Sequence, residues 1–309
     1  MRRFLIDTDT ASDDAVALVM ALKHPDIQVE AITLVAGNVP LEQGVQNALY
    51  TVELCDSQVP VYAGCAKPLM RSLHTAQDTH GTDGMGDIGL PLWGRTAANG
   101  HAVDIIINTV NRFPGEITLV TLGPLTNIAV ALLKDPTLAA KIPRCVVMGG
   151  VSDYYGNVTP VAEYNLWTDP DAAKVVLESG LPLTLVGWDI SRKYATFTHE
   201  TAQEIRDIGN PLAEFCIDIQ GAVTAFNQDV TQLPGFDLPD PIAMAIAIEP
   251  EIATAKTNVY VTIETQSDLC RGQIILDPLS LFQQPPNAIV VTEADQARFV
   301  ALLRELLSS

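Results

Sequence analysis

Basic residues are scarce in this 309-residue chain: 18 Lys and Arg stand against 37 Asp and Glu, a formal net charge of −19 at pH 7. Such a field repels phosphate backbones and anionic membrane surfaces, so nucleic acid and membrane are not expected partners, and a neutral small molecule or a cation is. Cysteine is sparse too. The five thiols (Cys55, Cys65, Cys145, Cys216, Cys270) are odd in number, widely spaced and without a C-x-x-C pair. Neither a disulfide framework nor a zinc site is expected, and all five read as buried thiols. No apolar stretch reaches the ~18 residues of a membrane span. Met1-Arg2-Arg3-Phe4 enters a strand-like run without the apolar region of a signal peptide, which predicts a cytoplasmic location. Repeats, low-complexity tracts and Pro/Gly/Ser-rich linkers are missing, and with 48% hydrophobic residues the chain is expected to fold as a single domain over residues 1–309.

What is present is an alternation of apolar, β-branched runs with helical periodicity. Residues 4–7 precede a helix over 13–23, 29–35 precede 41–54, and 117–122 precede 125–133. The pattern continues with 145–148, a long loop, a helix over 169–179 and a strand over 183–186. Strands that are continuously apolar predict an α/β fold: an open, mainly parallel, Rossmann-like sheet flanked by helices. The C-terminal third adds extra helices and short strands. Two helices are expected within 199–228, broken at Gly209-Asn210-Pro211, then a helix over 240–248. Strands follow at 257–263, 273–276 and 288–291, and a closing helix over 293–307 starts with a capping box in Thr292-Glu293-Ala294-Asp295.

Ligands of open α/β sheets bind beyond the carboxyl ends of the strands, so residues just after each apolar run should converge on one crevice. Those residues are Asp9, Asp13 and Asp14, then Asn38, Leu122-Gly123-Pro124, Met148-Gly149-Gly150 and Trp188-Asp189. Four aspartates fall between Asp7 and Asp14. Two carboxylates about 4 Å apart repel by roughly 4 kcal/mol at an effective dielectric near 20, so protons or a cation must accompany the folded cluster. A helix dipole accounts for Asp13 and Asp14 but not for four acids, whereas Ca²⁺ or Mg²⁺ takes hard oxygen ligands of this kind. An apolar strand ending in Asp-x-Asp also fits a Mg²⁺-dependent phosphatase. That motif wants Thr or Val two residues after its second Asp, where Ala11 stands, and no basic residue lies between Arg3 and Lys23 to meet a phosphate.

These motifs together resemble the inosine-uridine-preferring nucleoside hydrolases. The family's opening Asp-x-Asp-Pro-Gly-x-Asp-Asp-Ala is similar to Asp7-Thr8-Asp9-Thr10-Ala11-Ser12-Asp13-Asp14-Ala15. The likeness continues through Gly37-Asn38, His80 to Gly86, Gly123 to Asn127, Met148-Gly149-Gly150, Gly156 to Asn165 and Asp240-Pro241, in the same order over about 240 residues. The resemblance implies Ca²⁺ held by Asp9, Asp14, the backbone carbonyl of Leu122 and Asp240. Asp9 doubles as the base that helps water attack C1′ of a ribose through an oxocarbenium-like state. It also implies that Asp13, Asn38, Met148, Asn157, Glu163 and Asn165 surround the sugar, with Asp7 as support behind them. His80 would lie near the base, where an imidazole titrates near neutrality. Trp188, Phe226 and Tyr154 are candidates for stacking on a base as well as for core. A homodimer or homotetramer is what the family suggests.

Two departures from the family pattern bear on function. Many members carry His-Asp-Pro where this chain has Pro239-Asp240-Pro241, and that histidine is the usual candidate to protonate a purine leaving group. A general acid contributes roughly 10²- to 10⁴-fold, so its loss leaves three readings: pyrimidine ribonucleosides, where His80 as a second catalytic residue or water assists the departing base; another acid from the loop 226–237; or a nucleoside-like substrate with a better leaving group. The first is the expectation. The competing reading is a non-catalytic relative that binds a nucleoside or ribose; retention of Asp9 argues against it. Thr10-Ala11 in place of Pro-Gly is the second departure.

Overall fold

The computed structural model describes residues 1–308. Its strands are β1 (Arg2–Thr8), β2 (Ile27–Leu34), β3 (Val61–Ala63), β4 (Ile117–Thr121), β5 (Arg144–Met148), β6 (Leu183–Val186), β7 (Thr196–Thr198), β8 (Gly235–Asp237), β9 (Ala253–Ile263), β10 (Ile274–Asp277) and β11 (Ala288–Ala294). Nine of them form one sheet in the order β10-β9-β11-β6-β5-β4-β1-β2-β3, and β7 pairs with β8 alone. From β11 across to β3 every pairing is parallel. β9 runs antiparallel to both of its neighbours, which makes the C-terminal edge antiparallel.

The two faces of the sheet explain why its central strands read as unbroken apolar runs. Phe4 and Ile6 of β1 point into one core with Val120, Val146 and Val186. Leu5, between them, enters the opposite core with Leu119, Cys145 and Leu185. Side chains alternate across a strand, and helices cover both faces, so every position must be apolar. Asp7 and Thr8 are the buried polar exceptions on β1. Asp7 Oδ1 accepts from Thr33 Oγ1 at 2.5 Å and Asn127 Nδ2 at 2.8 Å, which ties β1 to β2 and to the helix Thr126–Lys134. Burial pushes the Asp7 carboxyl up to about 7.

The chain winds outward from β1 to β3, then returns to the other side of β1 for β4, β5 and β6. The carboxyl ends of β1 and β4 are therefore the topological switch point, where adjacent connections part and leave a crevice. The segment Asp9 to Asp14 and the residue Leu122 follow those two strands directly.

Several expected elements change outline. The segment 199–228 holds three helices, His199–Arg206, Pro211–Asp218 and Gly221–Phe226. The expected break at Gly209-Asn210-Pro211 is present, with the Asn210 side chain accepting from Ala213 N. A further break falls at Ile219-Gln220, where Gln220 Nε2 donates to the Ser12 carbonyl at 3.1 Å. The closing helix is Gln296–Leu307, capped by Asp295 accepting from Arg298 N, and not by Thr292. Glu293 and Ala294 remain in β11 because they pair with Ala255 and Ala253 of β9. Several elements lay outside the sequence reading, among them β3, the antiparallel pair β7–β8, the short helix Trp188–Tyr194 and the helix Ala102–Arg112, which buries Val103, Ile106 and Val110. All five cysteines are free, but only Cys55, Cys145 and Cys216 are buried; Cys65 and Cys270 are half-buried. No helix among the described residues is long and apolar enough to cross a membrane.

Candidate active site

The helix Ser12–Lys23 begins where β1 ends and carries Asp13 and Asp14 in its first turn. Asp14 is held firmly: Thr8 Oγ1 donates to Oδ1 at 2.5 Å, and Ala11 N donates to Oδ2 at 2.9 Å. Asp240 enters from the first turn of the helix Pro239–Ile248, more than two hundred residues away in sequence. Asp13, Asp14 and Asp240 bring one carboxylate oxygen each within 4.8 Å of one another, all three buried.

Asp9 lies beside this trio. Its Oδ2 accepts from the backbone N–H of Asn38 at 2.6 Å, while Oδ1 is buried with no hydrogen-bond partner. Glycine is required on both sides of it, since a Cβ on Gly37 or on Gly123 would collide with the carboxylate. Burial, followed by the charge of Asp14, pushes the Asp9 carboxyl well above the usual carboxylate range. Asp240 is raised likewise, by burial and then by Asp14, Asp13 and Asp9. Burial first and neighbouring charge second put Asp14 at about 6, and Asp13, also chiefly through burial, is pushed up to about 7. Asp13 Oδ1 also has no hydrogen-bond partner.

Uncompensated buried carboxylates with unused oxygens fit a hard divalent cation, which needs several oxygen ligands and cancels their repulsion. The donor set is all oxygen, with no thiolate or imidazole in the trio.

Above the trio opens a cavity of about 320 Å³ whose lining includes Asp13, Leu122 and Asp240. Every residue that the sequence reading placed around the sugar is there: Asp13, Asn38, Met148, Asn157, Glu163 and Asn165. Asp9 and Asp14 sit beneath its surface. Glu163 has two duties. It caps the short helix Tyr164–Thr168, with Oε1 accepting from Asn165 N at 2.6 Å and Oε2 from Gly150 N at 2.8 Å. It also faces the cavity, and burial raises its carboxyl to about 7 despite those donors. Asn165 Nδ2 donates to the Leu122 carbonyl at 2.7 Å and reaches Met148 O at 3.3 Å. Asn157 Oδ1 accepts from Tyr164 N at 2.9 Å, so part of its role is to hold the loop.

His80 ends a single helical turn, Gln77–His80, and reaches the cavity with Nδ1 3.0 Å from Ser12 Oγ and 3.8 Å from Asp13 Oδ1. The expected titration near neutrality is corrected: burial lowers the imidazole to about 4, only partly opposed by Asp14, Asp78 and Asp237. Trp188 and Phe226 line the cavity, whereas Tyr154 is 41% exposed and packs edge-on against Trp188 at 6.1 Å. Pro239 also lines it, immediately before Asp240.

Other contributors had no assigned role in the sequence reading. Asp237, which closes the loop 226–237 where a substitute acid was sought, lines the cavity and accepts from Ser191 Oγ at 2.7 Å. Gln220 and His74 also line it, without any motif to mark them. Among the described residues, no lysine or arginine lines the cavity, so a phosphorylated substrate would find no cation on its walls, which disfavours the phosphatase reading.

Comparison with known proteins agrees with this geometry. Residues 4–301 match the family of inosine-uridine preferring nucleoside hydrolases. The pyrimidine-specific ribonucleoside hydrolase RihA of Salmonella paratyphi B is 37% identical over 305 residues, covering 98% of this chain and 97% of the relative. RihA of Escherichia coli is 36% identical over the same length. Among solved structures, a plant nucleoside hydrolase superposes with a TM-score of 0.93 at 31% identity, over 100% of this chain and 99% of that one. A purine-preferring ribonucleoside hydrolase from Gardnerella vaginalis gives 0.92 at 31%, over 99% and 98%. With the switch-point carboxylates, the amide-lined cavity and near full-length similarity in agreement, the chain belongs to the inosine-uridine preferring nucleoside hydrolase family and is an N-glycosidase.

Proposed function

We propose that this enzyme releases the base from pyrimidine ribonucleosides in preference to purine ones. The observation that carries the preference is Pro239, which lines the cavity next to Asp240 and offers no proton where many members of the family have a histidine. His80 is a poor substitute as an acid, because burial leaves its imidazole neutral at neutral pH. A purine is the leaving group most dependent on protonation, and loss of a general acid is worth roughly 10²- to 10⁴-fold. The RihA relatives, pyrimidine-specific by name, support the same reading.

Within the site we assign Ca²⁺ to Asp14 and Asp240, completed by Asp9 and the Leu122 carbonyl. When bound, the ion would keep these carboxylates ionised and make a neighbouring water more acidic. Asp9 has a free buried oxygen, Oδ1, with which to accept a proton, and the Asn38 N–H holds the other oxygen in place. Asp13, Asn157, Glu163 and Asn165 offer carboxylates and amides for the ribose hydroxyls, and Asn38 and Met148 close the pocket around the sugar. Fixing the sugar in this way favours a reactive geometry without further chemistry from these residues. His80, oriented by Ser12, contacts the base as a neutral hydrogen-bonding group.

The test is ribose release from uridine, cytidine, inosine and adenosine in Ca²⁺-saturated buffer. Uridine or cytidine should show the highest kcat/KM, by about tenfold or more over inosine. Equal or faster hydrolysis of inosine would overturn the preference.

A further inference from the structure

From the geometry we infer that Asp237 reads the edge of the nucleobase and selects bases that present an N–H donor to it. The inference rests on the nucleoside reading of the cavity and goes beyond it by naming the group that recognises the base.

Asp237 is the last residue of β8, opposite Thr196 of β7. The strand pair is anchored by Phe197 and Phe236, which stack with ring centroids 5.6 Å apart and planes 3° apart, both buried. The carboxylate therefore sits on a rigid element packed into the core, as a recognition group requires. Its Oδ2 accepts from Ser191 Oγ at 2.7 Å, and its Oδ1 lies 3.4 Å from an Arg192 guanidinium nitrogen. The side chains of Arg192 and Asp237 are only 5% and 6% exposed. Arg192 in turn lies over the ring of Trp188, 5.0 Å from its centroid.

Asp237 and Trp188 line the cavity but Arg192 does not. The anion is thus presented to the ligand while its compensating cation stays behind the wall. A buried carboxylate needs such a partner, and this one differs from the trio of Asp13, Asp14 and Asp240, which has no lysine or arginine paired with it among the described residues. A carboxylate has about four lone-pair sites. Ser191 and Arg192 occupy two, which leaves acceptor capacity for a ligand.

Its neighbours tell which part of the ligand arrives there. The amides and carboxylates suited to ribose, Asn157, Glu163 and Asn165, belong to the segment that follows β5. Trp188, Val223, Phe226 and Pro239 offer the apolar surfaces that a flat heteroaromatic ring needs. Ser191 Oγ lies 2.9 Å from the Trp188 carbonyl and 2.7 Å from Asp237 Oδ2, which holds the acceptor beside Trp188, where it meets the ring at its edge. The imide N–H of uracil and the exocyclic amino group of cytosine are donors of the right kind. A 6-oxopurine carries an equivalent N–H, so this selection is separate from the leaving-group argument.

The experiment compares kcat/KM for uridine, 3-methyluridine and 5-methyluridine in the wild-type holoenzyme, then in Asp237→Asn, with 4-nitrophenyl riboside as a substrate whose leaving group has no N–H edge. Methylation at N3 should lower wild-type kcat/KM about 10- to 100-fold, the worth of a hydrogen bond to a charged acceptor, and methylation at C5 should cost much less. Asp237→Asn should compress the uridine/3-methyluridine ratio and lower uridine hydrolysis by about tenfold more than 4-nitrophenyl riboside hydrolysis. Equal wild-type rates on uridine and 3-methyluridine would overturn the inference, with no variant needed. Equal losses on uridine and 4-nitrophenyl riboside in Asp237→Asn would assign the residue a purely structural role and overturn it too. Preference for inosine together with discrimination against 1-methylinosine would sink the pyrimidine reading while supporting Asp237 as the base reader.

Discussion

The two ends of the helix Pro239–Ile248 treat charge in opposite ways. At its carboxyl end, Arg144 donates to the carbonyls of Ala247 at 2.9 Å and Ile246 at 2.7 Å, and Arg2 to that of Ile248 at 2.5 Å. Arg298 forms a two-pronged pair with Glu249 just beyond. Cations there answer the helix dipole and its unsatisfied carbonyls. At the amino end, Asp240 joins Asp13 and Asp14 in a buried cluster with no lysine or arginine among the described residues lining the cavity above it. Charge is settled within the protein at the amino ends of the strands, which serves stability. At the carboxyl ends no lysine or arginine among the described residues lining the cavity settles it, and the buried oxygens there could hold a cation.

The severest way to break this contrast is Asp9→Ala. It removes the proposed base together with one carboxylate of the unsettled end, and ribose release should fall by about 10³-fold or more while circular dichroism stays native. Undiminished ribose release would remove Asp9 from the mechanism.

A second effect is on stability without metal. Asp13 and Asp14, raised to about 7 and about 6 from an ordinary 3.8, keep protons in the folded chain that the unfolded chain releases. Stability of the chelated protein should therefore fall as pH rises from about 4 to about 7, since the folded state binds more protons across that window. Saturating Ca²⁺ should flatten the slope. Urea unfolding at pH 5 and pH 7, with chelator and with Ca²⁺, measures both, and greater stability of the chelated protein at pH 7 would contradict the account.

Thr8→Val is expected to act more gently. It deletes the hydroxyl that orients Asp14 and should weaken Ca²⁺ binding about 10- to 100-fold, the usual cost of losing a supporting hydrogen bond behind a ligand. Calorimetric titration would reveal an unchanged affinity if that hydroxyl were idle. The smallest effect belongs to the settled end. Arg144→Met should cost about 1–2 kcal/mol in urea unfolding by freeing two carbonyls, with kcat/KM for uridine unaltered. A change in kcat/KM there would mean that the two ends are not separable.

The central strands were legible because burial on two faces demands unbroken apolar runs, as in Phe4-Leu5-Ile6. β3, β7 and β8 were not, because each has three residues, too few for any periodicity to register. Thr196–Thr198 and Gly235–Asp237 become strands only by pairing with each other across more than thirty residues of chain. The missed start of the last helix has the same origin, since β9 claims Glu293 and Ala294 for the sheet.

The chemistry of the site was written locally. An apolar strand running into Asp9, Asp13 and Asp14 calls for protons or a cation by electrostatics alone, and the ordered motifs from Asn38 to Asp240 contain residues that line one cavity. Tertiary structure decided how those charges are balanced. It set Asp13 in the buried trio, held Asp9 between two glycines, and lowered His80 by burying it rather than leaving it to titrate. It also joined Asp237 to Arg192, a pairing that no spacing in the sequence signals. Local sequence determines which groups are present and the period at which they repeat; solvation and Coulomb energy depend on three-dimensional neighbours, and those exist only once distant segments have packed.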